Sequence, residues 1–516
     1  MYEEHCLLLK SQIKERLLVE KIFDTSLPLS VMYYVDMCDM KKIIAIFQII
    51  LPTRLVITTP WDGSRGGLQL LTGLLALVLT ACNRTAPASD TNAASLPALV
   101  KGVVEVKVRK TVGGFQLLRD GQPYYLRGGA GLQQLAQLRE AGGNSLRLWS
   151  TAYAAPLLDE AQRQGLTVML GLWLEPESPS FSYYDPAAVQ AQQRRLREQI
   201  LLFRNHPALL MWNVGNELEL SSPGPRLFEA INDVARMIHE LDPHHPVTTS
   251  MSTFELHSSA LQRSAPAVDI LSINIYGRLK RLPFLLKKSG WRGPYIVSEY
   301  GGRGFWESDS TNWRAPIEQT SAGKAEFIRS RYQIMRSDST HCLGSYVFFW
   351  GNKFEYTPTW FSLFEPTGEK TEAVDDLHLL WRKRYPANRA PHLTEVRLAG
   401  RSFLGNVFLW PGRQYPAAVT VTDPEGDSLA IRWEMLPEMR IGADIKEIAT
   451  PLEPVPGAVV LAWGRQAVIR TPTHPGAYRL YVRAFDGHGS VGTANIPLLV
   501  RAAPVAGVYS AATTSD

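Results

Sequence analysis

Cysteine is scarce in this chain of 516 residues, which contains only four. Charge of one sign is also lacking, because 54 Lys and Arg stand against 49 Asp and Glu, without a basic run interleaved with aromatic residues. This distribution argues against nucleic acid as a partner. A Gly-rich phosphate loop and a Ser-His-Asp arrangement are absent from the sequence, and its histidines lack ligand-like spacing. We therefore expect no cofactor and no metal site.

The length and the composition indicate a folded protein of more than one domain. Hydrophobic residues make up 45% of the chain, aromatic residues 10% and charged residues 20%. These fractions are typical of globular proteins, and the length exceeds what one ordinary core organises. We expect two domains and a targeting segment.

A short apolar run, Leu68–Ala81, directly precedes Cys82. It is too short to cross a membrane as a helix and suits the apolar part of a secretory signal. The residues Leu79-Thr80-Ala81-Cys82 resemble the lipobox of bacterial lipoproteins, in which the signal is removed and the cysteine is lipidated. This resemblance implies removal of residues 1–81 and a lipid anchor at Cys82 that holds the protein to the membrane in the cell envelope. A buried helix with a chance cysteine is the alternative.

Two further expectations concern this region. We interpret the first stretch of about 60 residues as an over-extended gene start, because signals begin close to their apolar run. Met40-Lys41-Lys42 with the apolar residues after it is a competing signal-like run. Residues 83–100 read as a tether rich in Thr, Ala, Pro and Ser. The mature chain would contain only Cys82 and Cys342, so an internal disulfide is not available.

Residues 101–385 alternate short apolar segments with amphipathic helical patterns, which predicts an α/β fold. A hairpin of Val104–Val108 and Gly114–Leu118, with its turn at Asp120-Gly121, comes first. Parallel strands covered by helices favour a (β/α)8 TIM barrel, and a doubly wound open sheet is the alternative. The strand candidates are 124–127, 145–149, 167–172, 209–214, 247–250, 270–275, 295–298 and 345–349.

Helical periodicity disappears after a linker, Pro386–Pro391. Short strands separated by Pro and Gly turns predict a small all-β sandwich over residues 386–503, followed by a disordered tail at 504–516. The simplest role of the sandwich is that of a spacer or stabilising module. A carbohydrate-binding role would rest on Trp410, Trp433 and Trp463, of which we expect at least one to lie in the core of the sandwich.

Two strand candidates end in carboxylates. Glu217 follows Asn216 in the string MWNVGNE, and Glu299 lies in YIVSEYG. In a barrel, the carboxyl ends of the strands meet at one mouth, where active sites lie. Two carboxyl groups about 5–5.5 Å apart are what cleavage of a glycosidic bond by double displacement requires. Glu219 is a rival to Glu217, since strand alternation points both the same way.

These strings resemble the catalytic barrel of glycoside hydrolase family 2, within the clan A retaining glycoside hydrolases. Asn205–Glu217 is similar to its fourth strand and Tyr295–Gly301 to its seventh, while Gly121–Gly129 and Asn144–Trp149 are similar to its first two. The chain departs from the family because only a hairpin precedes the barrel. Its arrangement is closer to barrel lipoproteins with a C-terminal Ig-like or cadherin-like module, so the substrates of well-known members do not transfer.

The resemblance implies a role for each site residue. Glu299 would be the nucleophile and Glu217 the general acid/base, its proton favoured by a second carboxylate and by apolar neighbours such as Trp212. Substrate-binding or supporting roles fall on four further residues. Arg147 would pair with the nucleophile, and Asn216 would bind the sugar 2-hydroxyl. Tyr276 would donate a hydrogen bond to Glu299 or be a plain core tyrosine. Trp350 would form the floor of the first subsite, and the further aromatic candidates are Trp149, Trp173, Trp306 and Trp360.

The resulting expectation is a retaining glycosidase that cleaves O-glycosidic bonds in a β-linked oligo- or polysaccharide through a covalent glycosyl-enzyme. One alternative keeps the site but resolves the intermediate with a second sugar, which makes a transglycosylase. The other alternative is a non-catalytic, glycan-binding lipoprotein of the envelope. The intact pair Glu217 and Glu299 argues against it.

Overall fold

The computed structural model of the protein describes residues 102–222, 224–439 and 451–502. Cys82, the signal and tether assigned around it, and the tail 504–516 lie outside these residues, so the expectations about them stay predictions. Within the described part, no helix combines the length and the apolar character needed to cross a membrane.

The chain enters the described fold through a small antiparallel sheet. Val106–Thr111 (β1) pairs with Gly114–Arg119 (β2), and Gln122–Pro123 (β3) extends this sheet. The hairpin turn predicted at Asp120-Gly121 is misplaced, since Val112-Gly113 connects β1 to β2 and Asp120-Gly121 connects β2 to β3. The Asp-Gly pair does form a turn, as its chemistry predicts, but it serves the second connection.

Eight parallel strands then close into a barrel, because the last of them, β11, pairs with the first, β4. The closed barrel is thus confirmed, and the doubly wound open sheet is excluded. The barrel strands are Leu126–Ala130 (β4), Ser145–Leu148 (β5), Thr167–Leu172 (β6), Leu209–Asn216 (β7), Val247–Met251 (β8), Ile270–Asn274 (β9), Tyr295–Tyr300 (β10) and Cys342–Phe348 (β11).

Helices cover the barrel, and their apolar faces are the ones that periodicity predicts. The helix Pro225–Leu241 buries Leu227, Ile231, Val234 and Ile238 against the strands. The helices are Leu135–Glu140 (α1), Ala154–Arg163 (α2), Pro186–Phe203 (α3), Pro225–Leu241 (α4), Phe254–Ser264 (α5), Leu282–Ser289 (α6), Ser321–Ser337 (α7) and Glu372–Arg382 (α8).

The first barrel strand lies later in the chain than residues 124–127, where the pattern places it. It spans Leu126–Ala130 and includes Gly128 and Gly129, which have low strand propensity and so hide the strand from sequence analysis. The structure gives a reason for Gly128. A Cβ there would lie 2.1 Å from the ring of Tyr346 on β11, so only glycine allows this tyrosine to fill the barrel interior.

Within the described residues, nine strands follow the barrel, and we call them the C-terminal sheets. They are His392–Leu398 (β12), Arg401–Ser402 (β13), Val407–Leu409 (β14), Gln414–Thr422 (β15), Ala430–Pro437 (β16), Val459–Trp463 (β17), Gln466–Arg470 (β18), Gly476–Phe485 (β19) and Val491–Val500 (β20). They form two sheets with the orders β13-β12-β15-β18-β17 and β14-β20-β19-β16, and both sheets contribute to one cluster of buried side chains. This arrangement is compatible with the expected sandwich, and its Ig-like or cadherin-like type stays a prediction.

Buried charges join the C-terminal sheets to the barrel. Lys324 on α7 donates to Glu318 at 2.5 Å, and the second oxygen of Glu318 accepts from Asn495 on β20, also at 2.5 Å. Burial is the largest single effect on the pKa of the Glu318 carboxyl and raises it, but the Lys324 ammonium, the Arg479 charge and the Thr357 hydroxyl together outweigh burial, so this pKa lies below its ordinary value. On β19, Arg479 pairs with Glu438 and donates to the carbonyl of Pro316 before α7. The sheets are therefore docked on the barrel, which favours the stabilising role over that of a free spacer.

Replacing Lys324 by methionine tests this junction. The substitution leaves the buried Glu318 carboxylate without its cation, so we expect the free energy of unfolding to fall by about 3–5 kcal/mol. Lys287→Met is the matched control, because Lys287 is exposed on α6, and its effect should stay within about 0.5 kcal/mol. Denaturant unfolding measures both variants. Equal stability of the two would contradict a structural role for the Lys324–Glu318 pair.

Candidate active site

Polar side chains from five barrel strands meet at the carboxyl ends of those strands. Arg147 lies on β5, Asn216 ends β7, Ser250 lies on β8, Asn274 ends β9 and Glu299 lies on β10. The apolar residues before them hold the strands in the buried sheet, and barrel closure turns these ends toward one mouth. This is the face of the barrel on which substrate sites form.

Glu299 is a buried carboxylate at this mouth with hydrogen-bond donors on both oxygens. Its Oε1 accepts from the guanidinium of Arg147 and from the indole N–H of Trp149 at 2.9 Å, while its Oε2 accepts from the hydroxyl of Tyr276 at 2.8 Å. Its side chain is only 9% exposed. Because both carboxylate oxygens have donors, the carboxylate is held in one orientation.

Tyr276 and Arg147 lie where the sequence analysis expects them, each in contact with Glu299. Burial first, and the charge of Glu299 next, raise the pKa of Tyr276 well above its ordinary value. The hydroxyl therefore stays protonated and donates a hydrogen bond to Glu299. Arg147 is fully buried and also donates from Nη2 to Asn216 at 2.6 Å and to Ser250 at 3.2 Å. Its guanidinium lies 4.9 Å from the ring centroid of Trp149.

Glu217 lies directly after β7 in a left-handed backbone conformation, with φ at 53°. This region is uncommon for a residue with a side chain, and it holds the backbone so that Glu217 N–H donates to Ser250 O at 2.8 Å. The side chain is half-buried, and its Oε1 accepts from Asn274 Nδ2 at 2.9 Å. The strained turn thus holds the carboxyl beside the barrel axis rather than in open solvent.

The pKa of Glu217 is raised to about 7. Burial is the largest cause and the charge of Glu299 the second, whereas the hydrogen bond from Asn274 and the charge of Arg147 lower it. Glu299 pairs with Asn274 in the register of β10 and β9, and Asn274 donates to Glu217, so the two carboxyl groups lie within electrostatic reach of each other. Since Glu217 titrates near neutral pH, it is suited both to give a proton and to take one back.

Glu219, the rival of Glu217, has a different environment. It is 4% exposed, and its Oε1 accepts from the backbone N–H groups of Ser252 and Thr253 at 2.7 and 3.0 Å as well as from both hydroxyls. These donors belong to the loop after β8. Glu219 therefore fixes that loop, and the geometry favours Glu217 as the reactive carboxyl.

Asn216 connects Arg147, which contacts Glu299, with Asn274, which contacts Glu217. Its Oδ1 accepts from Arg147 and, at 3.1 Å, from Asn274 Nδ2. Because two donors converge on Oδ1, the amide orientation is set and Nδ2 is the group left to face a ligand. The expected contact with a sugar hydroxyl is thus available from Nδ2 and stays a prediction.

The assignment of Trp350 to the floor of the first subsite is wrong. Trp350 is fully buried in the cluster between barrel and helices, where it stacks on Trp381, and its indole donates to the carbonyl of Gln134 at 2.9 Å. The strand β11 ends at Phe348, so alternation no longer fixes the direction of the residues beyond it. Phe348 is the aromatic residue of β11 that lies beside the site, since its ring centroid is 5.8 Å from that of Trp149 and 6.0 Å from that of Tyr276.

Trp212 is not a neighbour of Glu217 in the sense expected either. It lies on the outer side of the barrel wall, and its indole donates to Asp242 at 2.8 Å.

Other tryptophans lie either at the mouth of the barrel or in the core. Trp306 is 57% exposed and lies 5.5 Å from Tyr276, whereas Trp360 is buried and donates to the carbonyl of Arg303.

Two site residues escaped the sequence analysis in part or in full. Trp149 was expected only as an aromatic platform, but it donates to Glu299. Asn274 was not singled out, although it lies in the strand candidate 270–275, ends β9 and contacts both Asn216 and Glu217 through its amide. Its own orientation is fixed by Ser298, whose hydroxyl donates to Asn274 Oδ1 at 2.7 Å. The position at the end of a barrel strand was the signal that would have identified it.

The described residues contain no group of three or more His, Cys, Asp or Glu side chains arranged to hold a metal ion. His239 in the last turn of α4 and His245 after this helix have carboxylates of the protein as partners. His245 is buried and contacts Asp242 at 2.8 Å, and His239 lies 3.3 Å from Asp269.

Comparison with protein families places a known domain over this site. The model for "Glycosyl hydrolases family 2, TIM barrel domain" matches residues 146–308, a range that contains Arg147, Glu217 and Glu299. The resemblance to this family is thereby confirmed over those residues.

Curated relatives match less than half of the chain. Beta-glucuronidase of Pongo abelii is 29% identical over 265 residues, and that of Chlorocebus aethiops is 30% identical over 264. Each match covers 44% of this chain and 37% of the relative, so the chain spans little more than a third of these proteins. Among solved structures, the beta-D-glucuronidase of Dictyoglomus thermophilum is 19% identical with a TM-score of 0.45, covering 55% of this chain and 54% of that one.

Proposed function

We propose that this protein is a retaining glycosidase that cleaves O-glycosidic bonds in a β-linked glycan. One observation carries the proposal. Two carboxyl groups lie at the mouth of the barrel within electrostatic reach, Glu299 held by three donors and Glu217 with its pKa raised to about 7. One carboxylate and one proton-bearing carboxyl group are the pair that double displacement uses.

In the first step, Glu299 attacks the anomeric carbon and forms a glycosyl ester as the bond to the leaving oxygen breaks. Glu217 transfers its proton to that oxygen, so the aglycone leaves as a neutral alcohol. Arg147, Trp149 and Tyr276 keep the attacking oxygens of Glu299 aimed at one point. The aromatic wall that Phe348 contributes suits the apolar face of a pyranose ring.

In the second step, Glu217 is a carboxylate and removes a proton from water, which attacks the anomeric carbon and releases Glu299. The same residue thus serves as acid and then as base, as microscopic reversibility demands. Asn274 donates to Glu217 in both forms of the site and stabilises the charged one. Two displacements at one carbon retain its configuration.

A series of mechanism-based 2-deoxy-2-fluoroglycosides of different sugar configuration tests this proposal. β-Glucuronides are the first to examine because the curated relatives carry the name beta-glucuronidase. β-Glucosides, β-galactosides and β-mannosides complete the series. We expect one configuration to inactivate the protein and to add its mass to the peptide with Glu299. Labelling of another residue would refute the assignment of the nucleophile.

Transglycosylation by the same site is the second candidate, and Trp306 is the observation that favours it. This side chain is 57% exposed and contacts Tyr276, so it offers an aromatic surface beside the nucleophile for an acceptor sugar. Analysis of the products at increasing glycan concentration distinguishes the two reactions. Products longer than the substrate indicate transfer, and reducing sugar alone indicates hydrolysis.

We also propose that the mature protein is a lipoprotein anchored at Cys82 in the cell envelope, on the support of the Leu79-Thr80-Ala81-Cys82 string. Expression with labelled palmitate in a bacterial host is expected to label the membrane fraction. Cys82→Ala should abolish the label, and Cys342→Ala should keep it, since Cys342 is buried in β11. A label that survives in Cys82→Ala would rule out this anchor.

A further inference from the structure

A second cavity lies at the opposite end of the barrel from the two carboxyl groups. Its volume is about 530 Å³, and it lies at the amino ends of the first barrel strands, where Tyr124, Asn144, Thr167 and Ala208 line it. Substrate chemistry of barrel enzymes takes place at the other face. A role for this cavity is therefore separate from the proposed glycosidase site.

The charge of the lining is entirely positive. Five cationic side chains contribute to it and no carboxylate does, the cations being Arg119, Arg127, Arg139, Arg336 and Lys383. Within the described part of the chain, Arg119 donates to the carbonyl of Pro207 at 3.1 Å and Arg127 to that of Trp381 at 3.5 Å. Carbonyl oxygens orient these guanidinium groups and leave their charge without a counter-ion.

The cations line one cavity, and three of them act on the same side chain. Burial raises the pKa of Tyr124 to about 12, while a hydrogen bond with Thr167 and the charges of Arg119, Arg127 and Arg139 lower it. Like charges gathered in a concave, partly dry site repel each other unless an anion enters, and such a site concentrates field on a small ligand.

A stabilising effect on helix ends explains the presence of three of the five cations but not of the other two. Arg139 lies in the last turn of α1, Arg336 in the last turn of α7, and Lys383 directly after α8. Cations at these positions stabilise helices through the helix dipole. Arg119 ends β2 and Arg127 lies on β4, so neither has this explanation, and both are partly buried.

We propose that this cavity binds a phosphoryl group with two negative charges. The planar fork of arginine matches the oxygens of phosphate, and several guanidinium groups suit a dianion better than a single carboxylate. The phosphate of a small molecule and that of a lipid headgroup share this chemistry. The inference needs neither Glu217 nor Glu299, so it stands or falls independently of the proposed glycosidase activity.

Titration calorimetry with inorganic phosphate at low ionic strength and pH 8 tests the proposal on the full chain. We expect saturable binding by the wild type, and at least about a hundredfold weaker binding by Arg119→Gln/Arg127→Gln, since each of the two lost charged hydrogen bonds weakens binding by about tenfold or more. Arg470→Gln is the matched control. Arg470 is exposed on β18, away from the cavity, and its loss should leave the affinity unchanged.

Two further measurements complete the test. Arg139→Gln and Lys383→Gln change exposed positions, so they keep the test valid if the double variant does not fold, and each should also weaken binding. Arginine-dependent binding to phosphatidic acid vesicles, whose headgroup is a phosphomonoester, but not to phosphatidylcholine vesicles, would assign the phosphoryl group to an anionic lipid. Absence of phosphate and vesicle binding in the wild type, or equal binding by all variants, overturns the proposal.

Discussion

Replacing Glu299 by glutamine is expected to lower kcat on the order of 10⁴-fold while the protein stays folded. The amide keeps the shape of the side chain but cannot form the glycosyl ester, so the displacement loses its nucleophile. The donors from Arg147, Trp149 and Tyr276 remain, and they still orient substrate and water. Steady-state turnover of an unmodified aryl glycoside, with the sugar configuration that labels the wild type, measures the loss.

Glu219→Gln is the control for this result. Glu219 lies close to the site in sequence and is buried, but its contacts are to the loop of Ser252 and Thr253. We expect it to lose stability by about 1–3 kcal/mol, because a charged acceptor of backbone N–H groups is replaced. Its kcat should fall far less than that of Glu299→Gln. The reverse order of the two variants would show that the nucleophile is assigned to the wrong carboxylate.

Replacing Glu217 by glutamine should have an effect that depends on the leaving group. General acid catalysis contributes about 10²–10⁴-fold, so kcat/KM for an alkyl or sugar leaving group should fall by that factor. A dinitrophenyl leaving group needs no proton, so kcat/KM of the variant for a dinitrophenyl glycoside should fall much less. Added azide is expected to accelerate turnover of that substrate by replacing base-assisted water, with a β-glycosyl azide as product. An equal loss for both leaving groups would contradict the acid role.

The pH profile provides a second test of Glu217. The first step needs its protonated form, and its pKa is raised to about 7 by burial and then by the charge of Glu299. Consequently kcat/KM should fall as pH rises through about 7. Asn274→Ala removes a hydrogen bond that lowers this pKa, so the descending limb should move to higher pH. The limb should disappear in Glu217→Gln, and its persistence there would assign it to another group.

Much of the barrel was predictable from local patterns. Apolar segments such as Thr167–Leu172 are buried throughout because helices cover one side of each strand and the barrel interior lies on the other. The helix Pro225–Leu241 follows its 3.6-residue period and ends where Asp242-Pro243 predicts. Local pattern failed at β4, where Gly128 and Gly129 lie in a strand that their composition does not indicate.

The site shows the same division. Glu217, Glu299, Arg147 and Tyr276 end up where strand position and family resemblance put them. Trp350 does not, because the direction of a side chain beyond the end of β11 depends on the loop and on Trp381 from a distant helix. The position of Phe348 beside the site is apparent only from its packing against Trp149 and Tyr276 in the folded protein.

The sequence by itself determined the order of strands and helices, and it put two carboxylates at strand ends, because periodicity and turn chemistry act over a few neighbouring residues. Only the tertiary structure decided which groups surround those carboxylates. Glu219 is bound by a loop 33 residues away along the chain, and Asn274 reaches Glu217 across 57 residues. It also decided that the C-terminal sheets dock on the barrel through Glu318, Lys324 and Asn495. Such contacts depend on how distant segments close in space, and no local pattern encodes that closure.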